Sequence, residues 1–261
     1  MSIKILDASI LLTGTDAQKN AFCEALVDGF SNQGMVKLES FDTGAPNDPL
    51  YDNVWPPELS LPGFRDFMEK FYAGCQDLHI GLLKALQAGF LARGIAIDLL
   101  TPCSGNVSEM RLNYYPPIDI SDIRSGTKTR ISPHTDFGTM TLLFQDSVGG
   151  LEVEDQSTPG SYIPVPSDSP YEILVNIGDS LQRMTNDVLT SVSHRVTIPI
   201  GEREKDVGIL PERYSVAYFA KVGRGVSLKP MAQFVGEDGE EKYPDITAFE
   251  WNQIKLQKIY G

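Results

Sequence analysis

The sequence predicts a mainly β protein with flanking helices: a jelly-roll core, a helical segment before it and one helix after it. Three observations carry this expectation. The first hundred residues hold two helix-period patterns separated by a stretch rich in Pro, Asp, Asn and Gly. After residue 105, short apolar or alternating runs recur between turn signals, the texture of a β-sandwich or barrel. A last helical pattern runs from about Thr247 to Tyr260. The expected division is a strand and helix segment over 1–105, a jelly-roll core over 106–235 and a C-terminal helix packing on that core over 236–261. A chain of 261 residues suits one core with an attached helical segment.

Taken in order, residues 3–12 read as a short strand, and Asp16 can cap a helix over Ala17–Ser31 with Phe22, Leu26 and Phe30 on one face. Residues 41–63 read as a loop. A long helix follows over Phe64–Leu91, with Phe64, Phe67, Phe71, Leu78, Leu82, Leu86 and Phe90 at helical spacing. The core strands are read from RLNYY, MTLLFQD, GGLEVE, YEILVNIG, SVSHRVTI and YSVAYF.

Composition narrows the function classes. Hydrophobic residues make up 41% and charged residues 22%, as in ordinary globular proteins. The net charge of −13 argues against a nucleic-acid-binding surface and against an anionic membrane surface. A small acidic substrate stays open, because one local Arg can bind a carboxylate. The odd set Cys23, Cys75 and Cys103 fits neither a disulfide framework nor a zinc motif, so a reducing, cytoplasmic location is expected. The first residues carry no basic region and no cleavage site, and no apolar run approaches the roughly 20 residues of a membrane span. The expected partner is a small-molecule substrate. No pattern encodes an oligomeric state, and a monomer is the working expectation.

The chain has three histidines, and two are placed suggestively. His134 and Asp136 lie in PHTDFGTMTLLF, at the entrance of a strand, where residues i and i+2 share a face. His194 lies in SVSHRVTI, a second strand. Two imidazoles and one carboxylate on one face of an octahedron leave three positions open, which suits O2 and a bidentate co-substrate on Fe(II). A closed zinc site would need a fourth ligand. His-x-Asp alone also occurs by chance, and His79, in a helical stretch without a carboxylate at ligand spacing, reads as structural. Arg213 and Ser215 share one strand face in RYSVAYF and can hold a carboxylate by a guanidinium fork and a hydroxyl. Arg213 could instead pair with a protein carboxylate. Asn113 and Tyr115 alternate in RLNYYPP and can donate to an acid's oxygens, or can simply pack on an edge strand ended by Pro116.

Together, NYYPP, HTDFGTMTLLFQD, GGLEV, LVNIGDSLQRMTND, SVSHRV and RYSVAYF, in this order, resemble the Fe(II)/2-oxoglutarate-dependent dioxygenase superfamily over about residues 50–261. The nearest branch contains isopenicillin N synthase, plant flavonoid oxygenases and fungal metabolite oxygenases. The resemblance implies a double-stranded β-helix with iron at one mouth. It implies that His134, Asp136 and His194 are catalytic metal ligands for Fe(II). It further implies that Arg213 and Ser215 hold the distal carboxylate of 2-oxoglutarate, with Tyr115 and Asn113 contacting that co-substrate. The implied reaction uses O2, converts 2-oxoglutarate to succinate and CO2, and hydroxylates, desaturates or cyclises a small molecule, as in secondary metabolism. Relative to the family, the region around GFSNQGMVKLESFDTG is short, which bears on the substrate pocket wall, and IPIGEREKDVGILPE reads as an inserted exposed loop. Two alternatives remain open: an iron oxidase of the isopenicillin N synthase kind that needs no 2-oxoglutarate, and a non-catalytic jelly-roll binding protein. Pocket-wall candidates are residues 118–132, Leu142, Phe144 and the C-terminal helix. Within 118–132, Arg124, Lys128 and Arg130 could meet an anion, but a solvated loop is the preferred reading.

Overall fold

The computed structural model describes residues 5–6, 37–38, 40–166, 169, 172–236 and 239–260. The expected helix over Ala17–Ser31, most of the expected strand over 3–12, and Cys23 lie outside the described residues. Ile5–Leu6 (β1) and Lys37–Leu38 (β2) pair in parallel. Phe41–Gly44 (β3) is a strand, not part of the expected loop, because it pairs antiparallel with Glu109–Leu112.

The long helix, α1, spans Phe64–Leu91 as expected. Of the expected face, Phe90 is buried and Phe64, Phe71, Leu82 and Leu86 flank the core, but the centre line lies to one side of it. Met68, Tyr72, Cys75, His79, Leu83 and Phe90 are buried, whereas Phe67 is 64% and Leu78 37% exposed. The expected stripe counted the large apolar residues and passed over Tyr72, Cys75 and His79, which form the actual centre line.

The core consists of two antiparallel sheets. The larger joins β3 to Glu109–Tyr115 (β4), Met140–Gln145 (β7), Leu174–Ile177 (β10) and Arg213–Ala220 (β13), in the order β10-β7-β13-β4-β3. The smaller contains Ile131–His134 (β6), Leu151–Glu154 (β8), Tyr162–Pro164 (β9) and His194–Val196 (β11), in the order β6-β11-β8-β9. All six expected strands form. β6 gave no clear strand signal because Pro133 interrupts it. It is tolerated there because β6 lies at a sheet edge, where a missing N–H costs no ladder bond.

α1 packs on the outer face of the larger sheet. Phe71 meets Phe144 at a ring-centroid distance of 5.0 Å, and Tyr72 meets Tyr218 at 5.2 Å. Even-numbered residues of β7 and β13 face this helix, so odd-numbered ones face the smaller sheet. The segment between His194 and Arg213 is not simply an exposed loop. Ile209–Leu210 (β12) pairs with Ile118–Asp119 (β5), and Leu210 is buried with Ile198 and Ile120, the first residue of a short helix, Ile120–Arg124 (α2). After β10 comes the helix Asp179–Met184 (α3), and the last helix, Ala248–Tyr260 (α4), starts one residue after the expected Thr247. Among the described residues, no helix is long and apolar enough to cross a membrane.

Candidate metal centre and acid pocket

β6 and β11 are paired so that His134 and His194 are direct cross-strand partners. This register brings their rings to a centroid distance of 4.3 Å. Asp136 does not sit on a strand with His134, as the i, i+2 argument supposed. It lies in the turn between β6 and β7. That turn is pinned from several sides. The Asp179 amide donates to the Asp136 carbonyl at 2.8 Å and the Gly178 amide to the Thr139 carbonyl at 2.9 Å. Gly138 has no room for a side chain, because a Cβ would run into the Ala220 carbonyl. His79 is fully buried and meets the Thr139 hydroxyl at 3.0 Å. Its structural reading therefore stands and becomes specific, since it holds the turn that carries Asp136. Burial pushes the His79 pKa down to about 4, which keeps the ring neutral.

The backbone fixes which nitrogen of each ring faces Asp136. His134 Nδ1 donates to the Ser132 carbonyl at 2.9 Å and His194 Nδ1 to the Val192 carbonyl at 3.2 Å. A carbonyl only accepts, so each Nδ1 carries a proton and Nε2 is the nitrogen left to ligate a metal. Each Nε2 lies 3.8 Å from Asp136 Oδ1. Burial, and next the neighbouring His194, hold the His134 pKa below its ordinary value. Asp136 presents Oδ1 inward because Oδ2 is occupied. Thr141 Oγ1 donates to Oδ2 at 2.6 Å and Asn176 Nδ2 at 2.8 Å. Three potential ligand atoms, one from each residue, lie within 4.8 Å of one another. Among the described residues no other such His/Cys/Asp/Glu group occurs.

The acid-binding candidates lie on the facing sheet. Arg213 opposes Tyr115, and Ser215 opposes Asn113 on one side and Gln145 on the other. Arg213 is 1% exposed, lies over the Tyr115 ring at 4.7 Å and donates Nη2 to Gln145 Oε1 at 2.7 Å. Its Nε and Nη1 have no partner, and no carboxylate among the described residues pairs with it. Among the described residues the alternative of a protein carboxylate partner is therefore not met. The Ser215 hydroxyl stands 3.3 Å from both Asn113 Nδ2 and the Tyr115 hydroxyl.

His134 and Asp136 line a cavity of about 1440 Å³, whose wall includes Tyr115, Arg130 and, from α4, Phe249 and Leu256. The expectation that residues 118–132 and the C-terminal helix wall this space agrees with that lining. Leu142 and Phe144 do not wall it: both face α1, Leu142 fully buried in the core and Phe144 against Phe71. Thr141 and Gln145 hold the inward positions instead. Sequence reasoning missed Thr141, Asn176 and Gln145. The available signal was a polar residue at an inward position of an otherwise apolar run.

The family model described as the 2OG-Fe(II) oxygenase superfamily matches residues 106–222. The proline hydroxylase buaE of Petromyces alliaceus is 50% identical over 226 residues, covering 85% of this chain and 68% of that protein. The chain belongs to the 2OG-Fe(II) oxygenase superfamily. The 2-oxoglutarate-Fe(II) type oxidoreductase ppzD of Metarhizium majus is 51% identical over 226 residues, 86% of this chain. The chain spans 61–62% of the length of the two ppzD proteins it matches. A full-length Neurospora crassa protein, solved in complex with alpha-KG and 5-formyluracil, superposes with a TM-score of 0.74 at 26% identity, covering 98% of this chain and 96% of that one. The superfamily's jelly-roll fold is thus the fold of this chain. Fe(II), 2-oxoglutarate and O2 are the superfamily's working set. The residues present fit the first two: two imidazole Nε2 atoms with a carboxylate oxygen, and a buried guanidinium with orphaned N–H groups.

Proposed function

We propose that this superfamily member holds Fe(II) through His134, Asp136 and His194 and oxidises a small molecule with 2-oxoglutarate as co-substrate. Arg213 carries the proposal. A guanidinium this buried needs an anion, and it stands on the sheet facing the triad, where a 2-oxo dicarboxylic acid offers a chelating end to the metal and a carboxylate to the arginine. The Ser215 hydroxyl, with Tyr115 and Asn113 beside it, would complete the donor set for that carboxylate. Fe(II) with bound 2-oxoglutarate supplies the O2 chemistry, which releases succinate and CO2. The chain's own residues do the rest. The Ser132 and Val192 carbonyls fix the imidazole tautomers, Thr141 and Asn176 aim the Asp136 carboxylate, and α4 and residues 118–132 keep bulk water from the cavity.

Hydroxylation, desaturation and ring closure all start from this arrangement. The likeness to a protein named proline hydroxylase supports hydroxylation of an amino-acid-like substrate, as in secondary metabolism. The division into a leading segment over 1–105, a catalytic core over 106–235 and a closing helix over 236–261 is supported by the family match beginning at residue 106. The buried free thiols of Cys75 and Cys103 support a reducing, cytoplasmic setting.

Anaerobic titration of the Fe(II) protein with 2-oxoglutarate tests the proposal. Chelation by the keto acid should give a weak visible charge-transfer band. Arg213→Ala should raise the 2-oxoglutarate requirement by about tenfold or more, as expected for loss of charge-assisted hydrogen bonds to a buried anion. Iron binding without the band would favour an oxidase that needs no 2-oxoglutarate. Absence of Fe(II) binding would favour a binding protein.

A further inference from the structure

Arg130 differs from the other basic residues of its segment. Arg124 is spent on the carbonyls of Arg203 and Lys205, and Lys128 pairs with Asp122 at 2.7 Å. Arg130 turns the other way. It lines the same cavity as His134 and is anchored by one donation from Nη2 to the Pro211 carbonyl, two residues before Arg213. Its Nε and Nη1 are buried and without a partner. So are Nε and Nη1 of Arg213 and Nε2 of Gln145, which sits against Arg213. Arg130, Arg213 and Gln145 therefore hold five buried donor atoms that meet no acceptor, and Arg130 carries two of them to the cavity wall.

Among the described residues no carboxylate hydrogen-bonds to them, although the charge of Asp146 acts on Arg130. Asp146, the nearby acid, is committed to backbone amides, Oδ1 to Val148 at 3.0 Å and Oδ2 to Tyr214 at 2.5 Å. Burial first, and next the charge of Arg213, hold the Arg130 pKa below its ordinary value. Two guanidinium groups side by side in a poorly solvated site repel each other and lose hydration, and an anion between them relieves both costs. A carboxylate offers about four lone-pair sites, enough for donors from two arginines and a hydroxyl.

We infer that Arg130 is a second arginine for the distal carboxylate of the 2-oxo acid, shared with Arg213, and that it sets the preference for 2-oxo acids carrying such a carboxylate. This rests on the proposed role of Arg213. The sequence alone favoured a solvated Arg130; its buried Nε and Nη1, its place in the cavity wall and its anchor on Pro211 are what overturn that reading.

The test is calorimetric titration of the Mn(II)-loaded protein with 2-oxoglutarate and, separately, with pyruvate, a 2-oxo acid without a distal carboxylate. Arg130→Gln should weaken 2-oxoglutarate binding by about tenfold or more and leave pyruvate binding unchanged, since only one buried charged contact is removed. Arg130→Lys, which keeps the charge and loses the fork, should fall between, and it carries the test if the Gln variant does not fold. Unchanged 2-oxoglutarate binding, or equal loss for both acids, overturns the inference. Arg213→Ala separates the two levels. If it weakens 2-oxoglutarate while the Arg130 variants do not, only the role of Arg130 fails. If it also has no effect, the co-substrate site itself lies elsewhere.

Discussion

Asp136 offers one oxygen to the candidate metal and gives the other to Thr141 and Asn176. Removing either donor frees the carboxylate to rotate without touching a ligand. Thr141→Val and Asn176→Ala should each lower Mn(II) affinity by about 10- to 100-fold, the usual effect of losing a partner that orients a metal ligand. Metal titration under anaerobic conditions reads this, and affinities equal to wild type would mean the turn alone orients Asp136. Part of this was legible. The triad, Arg213, Ser215, Tyr115 and Asn113 stand out as residue types at fixed spacing. Thr141 and Asn176 did not, because an inward polar residue is identified only once its partner's place in the turn is known.

His79 gives a prediction of a different kind. Folded His79 resists protonation down to a pH of about 4, whereas its ordinary value is 6.5. Between those values the unfolded chain binds more protons, so this residue makes stability fall as pH drops through the window and contributes no slope above it. From about pH 7 to about pH 5 the loss should be roughly 2 kcal/mol. His79→Gln removes the titration and should flatten that part of the urea-denaturation profile relative to wild type. An identical slope in both proteins would assign it to other groups.

At the scale of elements, α1 and α4 both pack into the main hydrophobic cluster. α1 was legible in its bounds and in part of its face, and Tyr72, Cys75 and His79 were missed because helical period fixes spacing and leaves phase to whichever neighbours are present. Leu83, fully buried on the true face, should cost about 2–5 kcal/mol when cut to Ala, whereas Phe67→Ala at an exposed position should change stability far less. Equal losses in thermal or chemical unfolding would mean the helix sits with another face inward. α4 is tied to the site itself. Lys255 reaches Thr135, between the first two candidate ligands, at 2.7 Å and Asp179 at 2.8 Å, and Arg183 lies 4.7 Å from the rings of both Tyr243 and Trp251. Lys255→Met should loosen α4 by about 1–3 kcal/mol. Hydrogen exchange in α4 should rise first; unchanged exchange would leave the lysine without a role in docking. None of these ties was readable beforehand, because each joins residues far apart in sequence.

For the whole molecule, the strand runs and their order were legible because alternation and turn residues act locally. Pairing was not, and the direct opposition of His134 and His194 is a fact of pairing. Groups on both sheets should therefore report on ligand binding together. Mn(II) with 2-oxoglutarate should raise the unfolding temperature of the entire chain, with a free energy of about 2.7 kcal/mol at a hundredfold excess over Kd. A rise with the metal alone and none on adding the acid would place the acid outside the folded core.

The inward residues of the two sheets and the cavity's outer wall are made from different kinds of structure. The two histidines and the acid-binding groups stand on strands, where a one-residue slip would turn inward side chains outward, and Asp136 stands on the pinned turn between β6 and β7. The outer wall comes from residues 118–129 and from α4, held by side-chain ties and by the short β5–β12 pair, which lies outside the two core sheets. Variation in that wall can proceed without disturbing the ladder beneath it. A transplant of residues 118–129 and the α4 surface from a relative with another substrate should thus move substrate choice while leaving the requirement for metal and 2-oxo acid where it was.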